Sequence, residues 1–396
     1  MHSGGVYYGA HSKSDWRRAL MDKVCLIGGL RSYIGLTGGV YRHVPAELLG
    51  AAVLKAVTEK YNVLPQQIIC GNGVGAGGNI ARLAALEAGL PESIPAVSVD
   101  VQCGSGLEAV AMAAAKIEAG EADVIIAGGF ESTSTQPRRG YNANHPDYKG
   151  EETYSVAKFM PGIHRETVML EGAELTAERE HISRAESDPW VLRSHKLAAQ
   201  AAADGALSDI IVPCFGAVHD EGIRPKMSQR LLDRLPCVLE GGRFTNAANA
   251  CLTNDGASFV LLASENYAKA HNLVVQAKVR HSAAAGGDPL VSPKSAILAL
   301  NALMQRTGLS HTQIDCFELN EAFAVIDVMF SRAFPGHEDG YNVFGGALAY
   351  GHPYGASGAI ILLHLLKSLQ KRGGRFGAAS VAAAGGVGTA LLIERC

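Results

Sequence analysis

The chain has 396 residues, of which 47% are hydrophobic and 18% charged, with a formal net charge of −3 at neutral pH. That balance excludes a disordered chain, and the lack of a basic excess argues against a nucleic-acid binder, which must neutralise phosphates. No apolar run approaches the ~20 residues of a membrane span, and the length exceeds what one core supports, so two or more packed units are expected.

Residues 1–21 read as an extension, polar and aromatic with little periodicity. It lacks a basic segment followed by an apolar core, so no secretory signal is read there. The first strand begins at Val24, and Pro45 to about Lys60 has helical spacing with Leu48, Leu49, Val53, Leu54 and Val57 on one side. Gln67 to Cys70 reads as strand, Gly77 to Ala88 as helix, Ala96 to Val101 as strand, and Asp123 to Ala127 as another buried strand. Strands alternating with helices imply βαβ crossovers and a sheet covered on both faces. From about Ser132 to Asn254 the pattern becomes polar and rich in proline and glycine around one helix, Pro189 to about Ala203. An excursion of that length is expected to carry substrate or subunit contacts. Alternation resumes at Ala257 and continues to the end.

The second half echoes the first. Cys103-Gly-Ser-Gly opens a helix that ends near Gly120 and is followed by a strand and Gly128-Gly129; Tyr354-Gly-Ala-Ser-Gly opens one that ends near Gly373 and is followed by a strand and Gly385-Gly386. A duplicated half-domain is the simplest account, with the two copies packed face to face and both helix N-termini converging on one central site.

Four segments carry chemistry. Cys103 sits where the Ala96–Val101 strand gives way to a helix expected to begin near Leu107. Free amides at a helix start favour an anion, so the thiol pKa is expected to fall and Cys103 reads as a nucleophile. Gly104 and Gly106 leave the sulfur open to an incoming substrate. His352 lies in Gly345-Gly-Ala-Leu-Ala-Tyr-Gly-His-Pro-Tyr-Gly-Ala-Ser-Gly, a rigid loop presenting one imidazole that could take the thiol proton. Asn320, in Asn-Glu-Ala-Phe-Ala, reads alone as an N-cap, and beside His352 as a residue that helps stabilise an oxyanion. Ala384-Gly-Gly-Val-Gly offers free backbone amides, a second source of oxyanion donors. Eight cysteines (25, 70, 103, 214, 237, 251, 316, 396) show no C-x-x-C pair. They form neither a disulfide framework nor a zinc pattern, and no metal is expected; the usage fits a reducing cytoplasm.

Taken in chain order, Cys103, Asn320, His352 and Ala384, the segments resemble the thiolase family, from Val24 to about Glu394. The likeness takes in Gln102-Cys-Gly-Ser-Gly-Leu, Gly120-Glu-Ala-Asp-Val-Ile-Ile-Ala-Gly-Gly-Phe-Glu-Ser, Leu175-Thr-Ala-Glu, Asp220-Glu-Gly-Ile-Arg, Asn254-Asp-Gly-Ala, Asn320-Glu-Ala-Phe-Ala and Gly351-His-Pro-Tyr-Gly-Ala-Ser-Gly. The resemblance implies an α/β fold with a five-layered α/β/α/β/α core of two duplicated halves, 22–275 and 276–396, with a loop domain inserted at about 132–254. It implies acyl transfer between acyl-CoA thioesters, with acetyl-CoA or a short 3-ketoacyl-CoA as substrate, in fatty acid metabolism. Coenzyme A enters as substrate or product, no cofactor is expected, and the assembly is a homodimer or homotetramer. Cys103 matches the acylated nucleophile, His352 its base, Asn320 the holder of an oxyanion water, and the amides of Gly104 and Ala384 the oxyanion donors. Arg224 matches a contact to the nucleotide end of coenzyme A, and Phe323 an aromatic of the pantetheine tunnel.

The sequence departs from the family in one place. A second cysteine normally precedes the C-terminal glycine cluster and moves a proton at the α-carbon of the second acyl-CoA; here that position is Ala382. One subfamily carries the cysteine in the Asn-Glu-Ala-Phe segment instead, and here that position is Ala322. Cys251 stands where thiolases usually have serine facing the pantetheine channel; a harmless serine-to-cysteine replacement is the first reading, and a part in the missing acid/base role the second. Cys316 reads as core. Acyl transfer without carbon–carbon chemistry, thioester hydrolysis and a non-catalytic subunit that binds CoA thioesters are the alternatives.

Overall fold

The computed structural model describes residues 23–396, so the 1–21 extension lies outside the described residues. The first half runs β1 (Val24–Ser32), β2 (Gly35–Leu36), α1 (Ala46–Tyr61), β3 (Gln67–Gly71), α2 (Ile80–Glu87), β4 (Ala96–Val99), α3 (Ser105–Glu118) and β5 (Val124–Ser132). An excursion follows with α4 (Val168–Arg179), α5 (Arg184–Ala203), β6 (Ile211–Val212) and α6 (Gln229–Leu232), before β7 (Asn254–Ser264) and α7 (Glu265–Ala270). The second half has β8 (Ala277–Gly286), α8 (Ser295–Thr307), β9 (Cys316–Leu319), α9 (Val325–Ala333), α10 (Ala347–Tyr350), α11 (Tyr354–Arg372), β10 (Phe376–Ala383) and β11 (Val387–Arg395).

The duplication is visible in the strand order. The path β4-β3-β5-β7-β1 continues as β8-β11-β10-β9, so each half repeats one order outward from the junction. β3 pairs β5 in parallel and β5 pairs β7 antiparallel; β9 pairs β10 in parallel and β10 pairs β11 antiparallel. The parallel bridge Phe317–Tyr341 beside β9 stands where β4 stands beside β3. The halves meet through a short antiparallel contact, Cys25 with Lys278 and Leu26 with Ala277. They therefore form one continuous sheet, and its two halves face each other across α3 and α11, as expected of the duplicated copies.

Three apolar clusters give the layers. α3 and α11 lie between the sheet halves, packed on Ile69, Ile125 and Val260 from one and Ala379, Val381 and Leu391 from the other. α1 and α2 cover the outer face of the first half over Ile68, Ile126 and Leu261. α8 and α9 cover the outer face of the second over Leu319, Ala378 and Leu392. Apolar residues alternate along each strand between the central and outer layers, as a sheet buried on both faces requires. The result is the five-layered arrangement that the family resemblance implies.

Two local expectations shift. The helix expected from Pro189 starts at Arg184, because Glu186 accepts the Ser183 backbone N–H at 3.0 Å and closes the first turn ahead of the proline. The excursion also holds α4, whose apolar positions are too sparse to show as a helical stripe.

The two central helices meet through their first turns with no room for side chains. A Cβ built on Gly358 of α11 would lie 2.0 Å from Leu107 N of α3, and one on Gly106 would lie 2.5 Å from Gly355 O. Gly358→Val should force the helices apart and cost about 1–3 kcal/mol, the usual penalty of overpacking. Urea denaturation monitored by circular dichroism checks this, and an unshifted midpoint would show a looser contact.

Candidate active site

A cavity of about 220 Å³ lies at the converging N-termini of α3 and α11. Cys103, Ala384, Tyr354 and Gln102 line it together with Phe159 and Met169 from the inserted segment. Arg139 is the one charged side chain of its wall among the described residues. A larger recess of about 440 Å³ lies against Arg31, Asp220 and Tyr350 and includes neither Cys103 nor His352.

Cys103 lies on a tight elbow. Gln102 adopts left-handed φ, +50°, a conformation that costs a residue with a Cβ roughly 1–2 kcal/mol. Ser105 holds the elbow in place: its hydroxyl donates to Gln102 O at 2.6 Å and accepts from Val101 N at 2.8 Å. Helix α3 begins at Ser105, two residues ahead of the expected start. Cys103 is 8% exposed, and the backbone N–H groups of Cys103 and Ala384 face its sulfur closely enough to lower the thiol pKa. Gly104 is a correction to the expected donor pair, since its N–H bonds Val101 O at 3.0 Å to close the turn. The two amides that converge on the sulfur are thus those of Cys103 and Ala384.

The expected fall in the thiol pKa is also corrected. Burial pushes Cys103 up to about 12, and the two amides and the helix start offset only part of that. Glu131 and Asp100 raise it further.

His352 is fixed from three sides. Its backbone N–H donates to Asn254 Oδ1 at 2.8 Å, and Gly351 before it takes φ +101°, where a Cβ would strike the Asn254 side chain at 2.1 Å. The Ser357 hydroxyl donates to Pro353 O at 3.0 Å, so its oxygen accepts from His352 Nδ1–H at 2.6 Å. That leaves Nε2 as the acceptor, 3.3 Å from the Asn320 amide nitrogen. The ring is neutral: burial pushes its pKa down to about 3.

Asn320 is not an N-cap. Helix α9 starts at Val325, and Asn320 belongs to the turn between β9 and α9, tied by its N–H to Ser380 O at 3.0 Å. Asn320 and His352 therefore form one pair, and Cys103 with Ala384 a second. No hydrogen bond among the described residues joins the Cys103 sulfur to His352, and neither His352 nor Asn320 reaches the cavity wall. Tyr354 stands between the pairs. It lines the cavity, and its ring meets the His352 ring edge-on at 4.9 Å.

The other expected residues lie apart. Cys251 does not line the cavity; burial and the neighbouring Cys103 push its thiol up. Arg224 is exposed, and its guanidinium folds back on Glu221 O at 2.6 Å. Phe323 is buried in the α8–α9 cluster. Cys316 is core, as expected. Ala382 is 5% exposed, its methyl packed in the same cluster as Phe323.

Sequence reasoning assigned no role to Glu131, Ser357, Asn254 or Tyr354. Glu131, at the end of β5, accepts from Gly73 N at 2.9 Å, Asn72 Nδ2 at 2.9 Å and Gly355 N at 3.0 Å, and so clamps the loop after β3 to the start of α11. Burial raises its carboxyl to about 7 against those donors. The glutamate after Gly128-Gly129 was the available signal, since a strand end seldom buries a carboxylate without a purpose. Among the described residues no cluster of three His, Cys, Asp or Glu is placed to hold a metal ion, and no helix is long and apolar enough to cross a membrane.

Alkylation of Cys103 by iodoacetamide should rise about tenfold per pH unit from pH 6 to 10 without levelling, because the thiol titrates near 12 and His352, titrating near 3, stays neutral throughout. A plateau beginning near neutral pH would instead reveal a thiolate–imidazolium pair.

Comparison with known proteins gives a consistent result. Residues 24–266 match the family described as thiolase, N-terminal domain, and residues 273–395 that described as thiolase, C-terminal domain. Relatives include the VraB proteins of Staphylococcus epidermidis and Staphylococcus aureus, whose names carry a provisional acetyl-CoA C-acetyltransferase assignment. Each is 35% identical and aligns over 95% of this chain, covering 99% and 100% of the relative. The crystal structure of the Bacillus anthracis acetyl-CoA acetyltransferase superposes with a TM-score of 0.88 at 30% identity, over 96% of this chain and 100% of that one. Human mitochondrial 3-ketoacyl-CoA thiolase in complex with CoA gives 0.87 at 30% identity, over 96% and 99%.

Proposed function

This chain belongs to the thiolase family, and we propose that it transfers acyl groups through a covalent acyl-Cys103 intermediate, drawing the acyl group from acetyl-CoA or a short 3-ketoacyl-CoA. The observation that carries this reading is the cavity in which two backbone N–H groups, of Cys103 and Ala384, converge on the Cys103 sulfur.

Both the nucleophile and its base are neutral in the free protein, so the reaction begins with a proton transfer. As the sulfur bonds to the thioester carbonyl carbon, its proton passes to His352 Nε2, the nitrogen left unprotonated by the Ser357 contact, across a gap that no hydrogen bond closes in the free protein. Negative charge then develops on the carbonyl oxygen next to the sulfur, and the Cys103 and Ala384 amides beside that sulfur are the nearest fixed donors to stabilise it. The imidazolium is held by Ser357 at Nδ1. Asn320 keeps the ring in plane and, with a water, serves a second oxyanion. Burial raises the cost of every charge that is left unpaired, so the proton moves only when substrate supplies the compensating charge.

Assembly into a homodimer or homotetramer, residence in the cytoplasm and a place in fatty acid metabolism belong to the same proposal and rest on the family resemblance. So do Arg224 and Phe323 as coenzyme A contacts; Arg224 would have to release Glu221 O to reach a nucleotide. Ala382 supports a second reading, in which the acyl group passes to an already acidic acceptor or to water, because a buried methyl moves no proton.

Intact-mass measurement after exposure to acetyl-CoA should show one acetyl group, retained on Cys103 after digestion and absent from Cys103→Ala. His352→Ala should slow its appearance by about 10²–10⁴-fold. Equal labelling of Cys103→Ala and wild type would exclude the mechanism.

A further inference from the structure

Breaking a carbon–carbon bond in a 3-ketoacyl-CoA requires two protic groups. One takes the Cys103 proton, and His352 does this. The other delivers a proton to the α-carbon, because the departing group is a thioester enolate, far more basic than a thiolate. Position 382 offers a methyl.

The side chains that can reach the cavity leave few alternatives. Thr37 hydrogen-bonds Thr133 at 3.1 Å and Thr253 O at 2.7 Å, and Thr133 donates to Asn254 O at 2.8 Å. Ser155 is bound to Glu166. Aliphatic hydroxyls are in any case far too weakly acidic to serve. Gln102 and Gln136 carry no labile proton, and a guanidinium stays protonated in proteins. Among the described residues the cavity wall holds no carboxylate and no imidazole. Apart from Cys103 itself, Tyr354 is the side chain there with a proton that can be given and taken back.

Its surroundings suit that use. Tyr354 is the first residue of α11, with its ring edge-on to His352. Its hydroxyl has no hydrogen-bond partner among the described residues, whereas the buried Tyr341 and Tyr350 hydroxyls bind Asp327 at 2.5 Å and Phe344 O at 2.8 Å. Burial, then the nearby Cys103 and Cys251 sulfurs, hold the phenol well above its usual range, so it stays protonated until a stronger base arrives.

We propose that Tyr354 is the second catalytic acid/base of this site, serving carbon–carbon cleavage and formation from the cavity wall. The proposal rests on the acyl-Cys103 reading above. In cleavage, the Cys103 sulfur bonds to the keto carbon and its proton goes to His352. The bond between that carbon and the α-carbon breaks, its electron pair stays on the α-carbon as the enolate of an acyl-CoA, and the Tyr354 O–H proton moves to that carbon. Coenzyme A thiol then gives its proton to the Tyr354 phenolate, and its thiolate attacks the acyl-Cys103 carbonyl. The bond to Cys103 breaks and the sulfur recovers the proton held on His352. The elevated phenol pKa helps here: the phenolate is a strong base towards a thiol, while the enolate is a stronger base still.

The experiment separates the two halves. Tyr354→Phe removes one oxygen and keeps the ring. It should leave acetylation of Cys103 by acetyl-CoA within a few-fold, because a thiolate departs without an acid. It should lower kcat for thiolysis of acetoacetyl-CoA by about 10²–10⁴-fold with KM little changed. Tyr354→Cys should recover part of that loss, and Cys251→Ser should leave thiolysis unchanged. Thiolysis by Tyr354→Phe at the wild-type rate overturns the proposal, as does loss in Cys251→Ser in its place. A wild type that is acetylated but cleaves no acetoacetyl-CoA also overturns it. Wild type that is never acetylated overturns the acyl-enzyme reading itself. Acetylation also reports folding, so a variant that fails to acetylate is replaced by Tyr354→Leu under the same criteria.

Discussion

The backbone contact between the first turns of α3 and α11 governs the site. A Cβ on Gly355 would meet Gly71 O at 2.5 Å, and one on Gly129 would meet Gly355 O at 2.1 Å, so the strand ends and both helix starts touch through main chain. Each helix brings one part of the chemistry to that crossing. The elbow before α3 carries Cys103, and the turn before α11 carries His352 with Tyr354 next to it. Glu131 fastens the crossing by accepting from both Gly73 and Gly355. Side chains of ordinary size would separate these groups by several ångströms. The glycines therefore bring two sequence-distant segments within reach of one substrate carbon, at the expense of the backbone entropy that glycine loses on folding.

Burying the site between two sheet halves works against resting charge. Sulfur, imidazole and phenol are each held in the neutral form by desolvation, which here outweighs the helix dipoles. A helix start contributes roughly a few tenths to 2 kcal/mol, which the desolvation of a fully enclosed thiolate readily exceeds. The amides of Cys103 and Ala384 are consequently more useful to a carbonyl oxygen that becomes negative in passing than to a standing thiolate. Reactivity is coupled to occupancy, and an empty site is protected from alkylating and oxidising agents.

Elements with strong periodicity and sharp punctuation were readable in the sequence. α11 spans Tyr354 to Arg372 between Pro353 and Gly373, and β5 follows the Gly120 turn. Cys103, His352 and Ala384 stood out because glycine surrounds them. What escaped sequence reading depends on long-range pairing. Asn320 has the local grammar of a helix cap, and only its tie to Ser380 across the sheet shows that it ends a strand turn. Gly104 looks like the free amide until Val101 O is found to occupy it. The thiol pKa was misjudged because a dipole can be read from sequence whereas the depth of burial cannot. Tyr354 was hidden by its neighbour, since a tyrosine at a helix start ordinarily means packing.

The position of Tyr354 also explains how a methyl at 382 can be accommodated. β10 enters the site edge from the core, and Ala382 lies among apolar side chains shared with α8 and α9. A small apolar residue there closes the outer cluster well. The phenol reaches the cavity from a different element, α11, which also positions His352 through Ser357. Acid and base are then carried by one rigid helix start, and the geometry between them no longer depends on how β10 sits against α11. A phenol is longer than a thiol and less acidic, so it suits an acceptor carbon held further from the strand. The exchange is thus a change of direction, with the proton delivered from the helix side of the substrate and the turn after β10 left to supply the Ala384 amide alone.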